Sequence, residues 1–313
     1  KPFSAITRLG IESVSRACSV SARRTYGRAR VCRLWGVPRS TDYARRVRAQ
    51  QPAKFHRRGR RPMVADDVLL EKVREMLADA ESLGFRGEGY RKVWARLRHH
   101  GIPVSKERVR RLMRQHGLQA PHRMGSDRGP RAHDGSIIPD GPNRMWGTDA
   151  TQIHTRREGT ATVFVAVDHF VGDVVGIHAA RPGTRFEALE PIHQGVRDLY
   201  GPLAGGIAKG LVLRHDHGAQ YMSHAFQQEL RFLGIESSPS FVRAPEGNGV
   251  AERFIRTLKE QLLWVRTFDT VEELRQALLE FKERFNQHWL LQRHGYATPA
   301  KVRAGYMPLA EAA

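Results

Sequence analysis

The spacing of apolar residues changes along the chain near position 144. Between positions 64 and 118 apolar side chains recur every three or four residues, which predicts three helices. Ser105 precedes the third of these, Lys106 to His116, and Gly117 follows it, as is typical of a helix capped at both ends. The last two helices are joined by the break Gly101-Ile102-Pro103. Two helices with a short turn between them, the second rich in arginine, predict a helix-turn-helix.

Beyond position 144 the apolar runs become shorter and denser, which favours strands. The run at 160–170 is apolar nearly throughout, so it predicts a strand that is buried on both faces. Helices alternate with the later strands, and this order predicts an α/β domain with a mixed sheet and flanking helices. The predicted strands lie at 145–155, 160–170, 173–180 and 210–216, and the helices that separate the later ones lie at 184–199 and 223–234.

A further helix, in PEGNGVAERFIRTLKEQL (245–262), presents a charged face. Glu252 lies in its first turn, where an acidic side chain favours the helix dipole. Arg256 and Lys259 fall on the same face as Glu252, at about 100° per residue. This alignment indicates a surface that meets a ligand rather than only solvent. The opposite, buried stripe is predicted to contain Phe254, Leu258, Leu262 and Val265.

Positive charge is concentrated in the N-terminal part of the chain. The formal net charge is +20, of which residues 1–62 carry +15, residues 63–130 carry +5 and residues 131–313 carry none. Such an asymmetric excess favours a polyanionic partner, most plausibly nucleic acid, over a merely soluble basic protein. Candidate DNA contacts in the third helix are Lys106, Arg108, Arg110, Arg111 and Arg114; a three-helix bundle with a solvated basic face is the alternative.

The first 62 residues contain a faint repeat. Val14-x-Arg16-x3-Val20-x5-Tyr26-x-Arg28 recurs seventeen residues later from Val31 to Arg45, and each copy suggests two short helices around a turn. The alternative is chance similarity between arginine-rich segments. The run HRRGRRP (His56–Pro62) is either a solvated linker or a segment that follows a DNA groove through Arg58, Arg60 and Arg61.

Two cysteines, Cys18 and Cys32, are too few for a disulfide framework or a cysteine-rich zinc module, and they fit a reducing cytosol. No apolar run approaches the length of a membrane helix, and no signal peptide is visible. We therefore expect a cytoplasmic, nucleoid-associated location and no membrane partner. The first residue is Lys1 rather than Met, which indicates a trimmed chain or the downstream part of a longer product.

Three carboxylates are the candidate catalytic residues. Asp149 lies in or near the end of the first predicted strand, Asp216 follows the fourth, and Glu252 opens the exposed helix face. Adjacent strands would place the two aspartates side by side, and a helix crossing that edge would add the glutamate. Converging carboxylates repel one another unless a cation neutralises them, and oxygen-only ligation suits Mg²⁺ or Mn²⁺. Two such ions about 3.5–4 Å apart can support an in-line phosphoryl displacement.

The spacing Asp216-x35-Glu252, with Lys259 seven residues further on, resembles the D,D(35)E motif of retroviral integrases and bacterial insertion-sequence transposases. WGTDAT, HDHGAQY and PEGNGVAERFIRTLK are similar to the words around the family's three carboxylates. FNQHWLLQRHGYATPAKV is similar to its C-terminal motif, and the segment 64–118 resembles the helix-turn-helix that precedes the core in transposases made by frameshift fusion. The resemblance covers about residues 64–305.

This resemblance implies a ribonuclease-H-like integrase core preceded by an all-α helix-turn-helix region. It implies an Mg²⁺-dependent transposase that exposes 3′-hydroxyls at the ends of an element and joins them to DNA. It maps Asp149, Asp216 and Glu252 onto the metal ligands and Lys259 onto a contact with the terminal DNA, beside Arg256. The expected partners are the double-stranded ends, target DNA and further copies of the chain in a homo-oligomer.

Two features depart from the family pattern. Trp289-Leu290-Leu291 stands where Arg-Pro-His is commoner, and the zinc-binding domain of retroviral integrases is absent. Competing interpretations are a zinc hydrolase built on His154, His215 and His217, a DNA-binding regulator without catalysis, and a metal-dependent nuclease that does not join strands. Asp168 is interpreted as a strand-end residue beside the site.

These patterns predict five regions. They are a basic helix-turn-helix-like segment and linker (1–62), a helix-turn-helix DNA-binding domain (63–120), a linker (121–143), the catalytic core (144–266), and a C-terminal helix and tail packed on that core (267–313).

Overall fold

The computed structural model describes residues 6–50, 63–121, 139–240 and 248–306. The chain divides into two compact units, Lys1–Pro62 and Met63–Ala313, which are considered separately. Throughout the described part of the chain, every helix is too short or too polar to cross a bilayer.

The first unit contains helices α1 (Ile6–Arg16), α2 (Arg28–Leu34) and α3 (Arg39–Gln50). Its apolar cluster is small and consists of Ile11, Val31 and Cys32, with Val37 packed against them. The two copies of the sequence repeat are not equivalent, because Val20 is 98% exposed whereas its counterpart Val37 packs on the cluster. The repeat therefore does not correspond to two copies of one packing unit.

Three helices begin the second unit: α4 (Asp66–Ser82), α5 (Tyr90–His99) and α6 (Lys106–Gln115). The Ser105 side chain caps α6 by accepting a hydrogen bond from the backbone N–H of Arg108 at 3.3 Å. The helices share a buried cluster of Leu69, Val73, Met76, Val93, Leu97, Val109, Leu112 and Met113.

The sheet of the second unit has five strands in the order β3-β2-β1-β4-β5. Strand β1 pairs antiparallel with β2 and parallel with β4; β2 pairs antiparallel with β3, and β4 pairs parallel with β5. This mixed sheet confirms the α/β class expected from the sequence. The strands are β1 (Met145–Thr155), β2 (Gly159–Asp168), β3 (Val174–Ala180), β4 (Val212–His215) and β5 (Glu236–Pro239).

The helices that follow α6 are α7 (Arg185–Tyr200), α8 (Ala219–Met222), α9 (His224–Leu233), α10 (Gly249–Leu258), α11 (Val271–His288) and α12 (Pro299–Ala304). Helices cover both faces of the sheet, and each face has its own apolar core. One core joins alternate residues of β2 and β3, such as Val163 and Ile177, to α10 and α11; the other surrounds Trp146 and Phe164 under α7 and α9. A π-helix (Lys259–Leu263) continues α10, and a 3₁₀ turn (Gln292–His294) precedes α12.

The buried stripe predicted for the glutamate helix is only partly correct. Phe254, Leu258 and Leu262 are buried, but Val265 is 45% exposed. The error arises because the helix changes to i→i+5 bonding at Lys259, which widens the turn and moves the following side chains off the stripe.

An aromatic cluster docks the three-helix region onto the end of α11. The ring of Trp289 meets that of Phe85 edge-on, with 5.1 Å between centroids, and stacks on Phe285 at 5.5 Å. The ammonium of Lys92 lies 2.8 Å from the centroid of the Trp289 ring. Phe85, just before α5, and Lys92, on α5, therefore both contact one indole that follows α11.

Polar contacts reinforce this docking. The backbone N–H of Arg86 donates to Oε1 of Gln261 at 2.7 Å, and the backbone carbonyl of Arg86 accepts from Nε2 of Gln261 at 3.1 Å. A smaller cluster next to α5 joins Ala95 to Leu290 and Tyr296. The contacts of Leu290 show that the apolar residues at the departure from the family motif belong to this interface.

Candidate active site

Strand pairing sets the relative position of the two aspartates. The parallel register of β1 and β4 pairs Met145 with Val212 and Gly147 with Arg214. Continuing this register by two positions brings Asp149 opposite Asp216, just beyond the last β4 residue. Asp149 thus lies within β1 rather than at its end, but at the point where pairing with β4 ceases.

Glu252 reaches the same edge from the first turn of α10. The side chain of Asn248, the residue before the helix, donates through Nδ2 to the backbone carbonyl of Thr148 at 2.9 Å. Asn248 is 95% buried, so this bond is shielded from water. It fixes the start of the glutamate helix one residue away from Asp149.

The close approach of Asn248 to β1 requires a glycine at position 147. A Cβ at Gly147 would lie 2.5 Å from Oδ1 of Asn248 and 2.4 Å from Nε2 of His169. Both side chains therefore occupy the space that a side chain at 147 would need. Burial lowers the pKa of His169 to about 4, so its ring is neutral at physiological pH.

The pKa of Asp149 depends on burial and on the charges of the other two carboxylates. Burial raises its pKa to about 6, and the charges of Asp216 and Glu252 act in the same direction. The backbone N–H of Ala150, which donates to Oδ1 of Asp149 at 2.8 Å, and the cation of Lys259 act in the opposite direction. The fold thus brings the three predicted carboxylates and Lys259 within electrostatic reach of one another.

These side chains have the chemistry that a hard divalent cation needs: three carboxylates, borne by a strand, a post-strand loop and a helix. Among the described residues, no group of three or more His, Cys, Asp or Glu side chains is drawn together closely enough to form a ligand set. Mutual repulsion keeps bare carboxylates apart, and a cation would reverse that balance. Burial is the main cause of the raised pKa of Asp149, and the charges of Asp216 and Glu252 add to it.

Asp216 and its neighbours divide between the site and the core. Asp216 is exposed and accepts a hydrogen bond from the Gly218 N–H at 2.8 Å. His215 is fully buried, and its ring nitrogens contact the Asp216 carbonyl at 2.7 Å and the Ser237 hydroxyl at 2.8 Å. With both nitrogens occupied and the ring against Tyr221, His215 is turned away from the carboxylates, which disfavours the zinc-hydrolase interpretation.

Asp168 has a structural role at the end of β2. Its carboxylate is completely buried and accepts backbone N–H bonds from Asn143, Phe170 and Val171 at 2.7–2.9 Å. It also lies 3.3 Å from the guanidinium of Arg303 in α12. All of these contacts hold the turn after β2 and the C-terminal helix, as expected for a strand-end residue.

The predicted DNA-binding residues of α6 fall into two groups. Lys106, Arg110, Arg111 and Arg114 are exposed. Arg110 pairs with Glu107 at 3.3 Å, and Arg111 pairs with Asp66 at 3.2 Å. These surface pairs are weak and leave the cations able to meet a phosphate.

Arg108 does not remain for solvent or phosphate, which corrects its assignment as a DNA contact. Its Nε donates to Oδ1 of Asp66 at 2.8 Å, and its Nη2 donates to the Val64 carbonyl at 2.6 Å. The side chain is only 14% exposed. Arg108 therefore joins α6 to the start of α4 as part of the domain's own structure.

The remaining candidates lie on or outside the glutamate helix. Arg256 is exposed and pairs with Glu260 at 3.1 Å, whereas Lys259 is half-buried beside the carboxylates. Arg58, Arg60 and Arg61 lie outside the described residues.

Sequence reasoning assigned no role to Asn248 or Gly147. From the sequence, Gly247-Asn248-Gly249 predicts only a loop before the glutamate helix, because nothing local shows that the Asn248 amide reaches a strand 100 residues earlier. The glycine of WGTDAT, two residues before Asp149, was the available signal, since glycine in a strand interior often marks a close backbone approach.

Comparison with known proteins gives two family matches. Residues 65–124 match an HTH-like domain, and residues 233–299 match an integrase core domain. The chain is 27% identical over 285 residues to transposase InsD for insertion element IS2A/D/F/H/I/K of Escherichia coli, an alignment that covers 87% of this chain and 92% of that protein. Transposase InsD for insertion element IS2-9 of strain K12 gives the same identity and covers 90% of that relative.

Solved structures similar to this chain include integrase cores. The catalytic core domain of BIV integrase has a TM-score of 0.39 and 22% identity, covering 52% of this chain and 95% of the integrase chain. The HTLV-2 integrase catalytic core domain in complex with magnesium has a TM-score of 0.39 and 21% identity, covering 54% and 99%. The integrase-core match, with the sheet described above, confirms the ribonuclease-H-like class expected for the second half of the chain, behind an HTH-like region.

Proposed function

The chain is a DDE transposase of the insertion-sequence type, and from that premise we propose its specific reaction. It binds the inverted-repeat ends of an insertion sequence, cleaves them to expose 3′-hydroxyls and joins those hydroxyls to target DNA. The observation that supports this proposal is that three carboxylates lie at one sheet edge within electrostatic reach of one another. The β1–β4 register aligns Asp149 with Asp216, and the Asn248 bond holds the Glu252 helix against the same strand.

We assign Asp149, Asp216 and Glu252 as ligands of Mg²⁺ or Mn²⁺, with two ions in the complete site. Such ions, when bound, stabilise charge on the attacking and leaving oxygens of a phosphodiester displacement. The protein's own part is to hold the carboxylates in place. Asn248 fixes the helix bearing Glu252, and the strand register fixes the two aspartates.

Both chemical steps displace oxygen at phosphorus. In cleavage, a water oxygen forms a new bond to phosphorus while the bond from phosphorus to the 3′-oxygen breaks, and that oxygen leaves as a hydroxyl. In joining, the 3′-oxygen attacks a target phosphodiester and displaces a target 3′-oxygen, which takes up a proton. One set of residues serves both steps because only the attacking oxygen differs.

Lys259 is proposed to contact the DNA beside the cleaved bond. It lies close enough to Asp149 for its charge to oppose the rise in that carboxyl's pKa. A cation at this distance from the carboxylates is suited to hold the phosphate that follows the reacting one. Lys106, Arg110, Arg111 and Arg114 on α6, together with Arg256, are proposed as contacts to the element ends.

The proposed division of labour follows the chain. Residues 63–120 bind the ends, 144–266 form the catalytic core, and 267–313 pack on that core. Joining two ends to one target requires two active sites, so we propose that copies of the chain assemble on DNA as a dimer or a larger homo-oligomer.

The test is an incubation of the purified chain with candidate inverted-repeat duplexes and Mg²⁺ or Mn²⁺, with products mapped at nucleotide resolution. Asp149→Asn, Asp216→Asn and Glu252→Gln should each abolish cleavage and joining while leaving DNA binding intact. Glu236→Gln, an exposed carboxylate on β5, is the matched control and should retain activity.

Each alternative gives a different product pattern. Undiminished strand transfer by any of the three carboxylate variants removes that residue from the site. Cleavage without joined products identifies a nuclease, and binding without cleavage identifies a regulator.

A further inference from the structure

A large cleft lies between the three-helix region and the glutamate helix. Its volume is about 1180 Å³. One wall is the segment from Arg86 to Lys92, which leads into α5, and the opposite wall is α10 from Val250 to Thr257. The residues that follow Trp289 close one end of the cleft. The cleft therefore connects the region that contains α6 to the helix that bears Glu252.

The lining of this cleft is strongly cationic. It contains six basic side chains and two carboxylates, Glu88 and Glu260. Both carboxylates are already engaged, Glu88 with Arg96 at 2.7 Å and Glu260 with Arg256 at 3.1 Å. The basic residues are Arg86, Arg91, Lys92, Arg253, Arg256 and Arg293. Basic side chains still outnumber carboxylates after the ion pairs of Glu88 and Glu260 are counted, so the cleft is suited to a polyanion.

Arg253 and Arg293 are the most informative of these cations. Within the described ranges, neither guanidinium has an ion pair or a side-chain hydrogen bond, although each is near the other. The pKa of Arg293 is lowered first by burial and then by the charge of Arg253. The carboxylates whose charges act on Arg293, Asp168 and Asp173, are buried, so two neighbouring guanidinium groups that line the cleft form a favourable site for a phosphate.

Aromatic rings beside these cations add a second type of surface. Trp264 lines the cleft and is 69% exposed, and Tyr90 lines the opposite wall. Flat aromatic surfaces next to arginines are typical of surfaces that hold nucleic-acid strands. An acidic protein segment would match the charge but would make no specific use of the exposed indole.

We infer that this cleft binds the sugar–phosphate backbone of the element-end DNA, with Arg253 and Arg293 clamping phosphate groups between the α6 region and the carboxylates. The inference rests on the proposed function, because it specifies how the DNA passes from one region of the protein to the other. Arg253 projects about 100° away from Glu252 around α10, whereas Arg256 lines the cleft on the helix face that bears Glu252. A backbone that contacts both arginines therefore leads towards the reacting edge. Arg86 and Arg91 continue the cationic path towards α5 and α6.

The experiment compares salt dependence of binding, using a duplex with the end that the wild-type chain cleaves. Each lost phosphate contact reduces the slope of log affinity against log salt by about 0.9. The double variant Arg253→Gln/Arg293→Gln should therefore lose about 2 from the slope and bind about tenfold or more weakly at moderate salt. Hydroxyl-radical footprinting should show lost protection between the recognition segment and the cleaved bond.

The matched control is Arg185→Gln/Arg231→Gln, two exposed arginines without an ion pair in the described structure and away from the cleft lining. This control should keep the wild-type slope. Circular dichroism checks the fold of both double variants. If the cleft double variant is unfolded, Arg253→Gln alone replaces it, with an expected slope reduction of about 1.

A double variant with the wild-type slope and footprint overturns the inference. The proposed function is tested separately by the same preparation. If the wild type cleaves the end and Asp216→Asn does not, while the double variant keeps its slope, only the cleft assignment fails. If the wild type neither binds nor cleaves any end, the proposed function fails.

Discussion

Replacing Trp289 by alanine should release the three-helix region from the core without unfolding either part. The indole makes two aromatic contacts, with Phe85 and Phe285, and one cation–π contact with Lys92. Only the contacts with Phe85 and Lys92 cross to the three-helix region, because Phe285 lies on α11 itself. The aromatic pair contributes about 1 kcal/mol beyond burial and the cation–π contact about 1 kcal/mol, so Trp289→Ala should weaken the docking by about 2 kcal/mol.

Hydrogen exchange can measure this loss at a single amide. The backbone N–H of Arg86 donates across the interface to Gln261, so its exchange reports docking. A loss of about 2 kcal/mol should accelerate its exchange about thirtyfold. The amides of Val109 and Leu112, inside the three-helix core, should be unchanged.

Trp264→Ala is the matched control, because that indole is largely exposed and makes no ring contact in the described structure. It should change the Arg86 amide by less than about threefold, in keeping with a surface substitution. The reasoning is refuted if Trp289→Ala leaves exchange at Arg86 as slow as in the wild type. It is also refuted if Val109 and Leu112 lose protection equally, since the indole would then stabilise the three-helix core itself.

Three further predictions follow from the contacts of single side chains. The pKa of His169 is about 4 in the folded chain and about 6.5 in the unfolded chain. Between these two pH values the unfolded chain binds one proton more than the folded chain, so the free energy of unfolding should fall by about 3 kcal/mol as pH drops from 6.5 to 4. In urea titrations His169→Gln should lose that share of the pH dependence, and an unchanged slope would contradict the assignment. Arg108→Ala should lower the melting temperature with little change in the salt slope of end binding. Arg114→Ala should leave the melting temperature nearly unchanged and reduce that slope by about 1. Identical behaviour of the two variants would refute the assignment of a structural role to Arg108 and a DNA contact to Arg114. Asn248→Ala removes the bond to Thr148 and should lower cleavage by about tenfold or more with end binding retained, so equal loss of binding and cleavage would argue against a positioning role.

The fold class was predictable because the strands and helices of the core have long apolar patterns. The predicted limits of β1, 145–155, are those of the structure. Strand β5 was not predicted, since Glu236–Pro239 is short, polar and at the sheet edge, where pairing with β4 alone maintains it. The π-helix at Lys259–Leu263 was also missed, because hydrophobic spacing assumes one helical pitch throughout.

The candidate site also contains features that the sequence pattern could not predict. Neighbouring strands could be expected to align Asp149 with Asp216, because Asp149 lies in the first predicted strand and Asp216 directly follows the fourth. The anchoring amide of Asn248 and the internal use of Arg108 could not be expected, since their partners are 100 and 42 residues away. Helical spacing shows which face a side chain occupies, whereas tertiary contacts determine whether that side chain is free to bind a ligand.

The fold explains why residues 289–291 are apolar. The sequence shows only that Trp289-Leu290-Leu291 departs from the commoner polar motif. In the structure, Trp289 and Leu290 pack against Phe85 and Ala95 of the three-helix region. Apolar residues are suited to this place because they form an interface within the second unit.

That docking also determines an order of events during synthesis. The three-helix region, which ends with α6 at Gln115, leaves the ribosome about 170 residues before Trp289, a delay of about 9–35 s at ~5–20 residues per second. Throughout this interval α6 can fold on its own cluster, but its partner surface on the core does not yet exist. A nascent chain would therefore present α6, the proposed DNA-binding helix, before that helix has a defined orientation to the carboxylates. If α6 binds the element ends as proposed, products that terminate before residue 289 would occupy an end without aligning it for reaction.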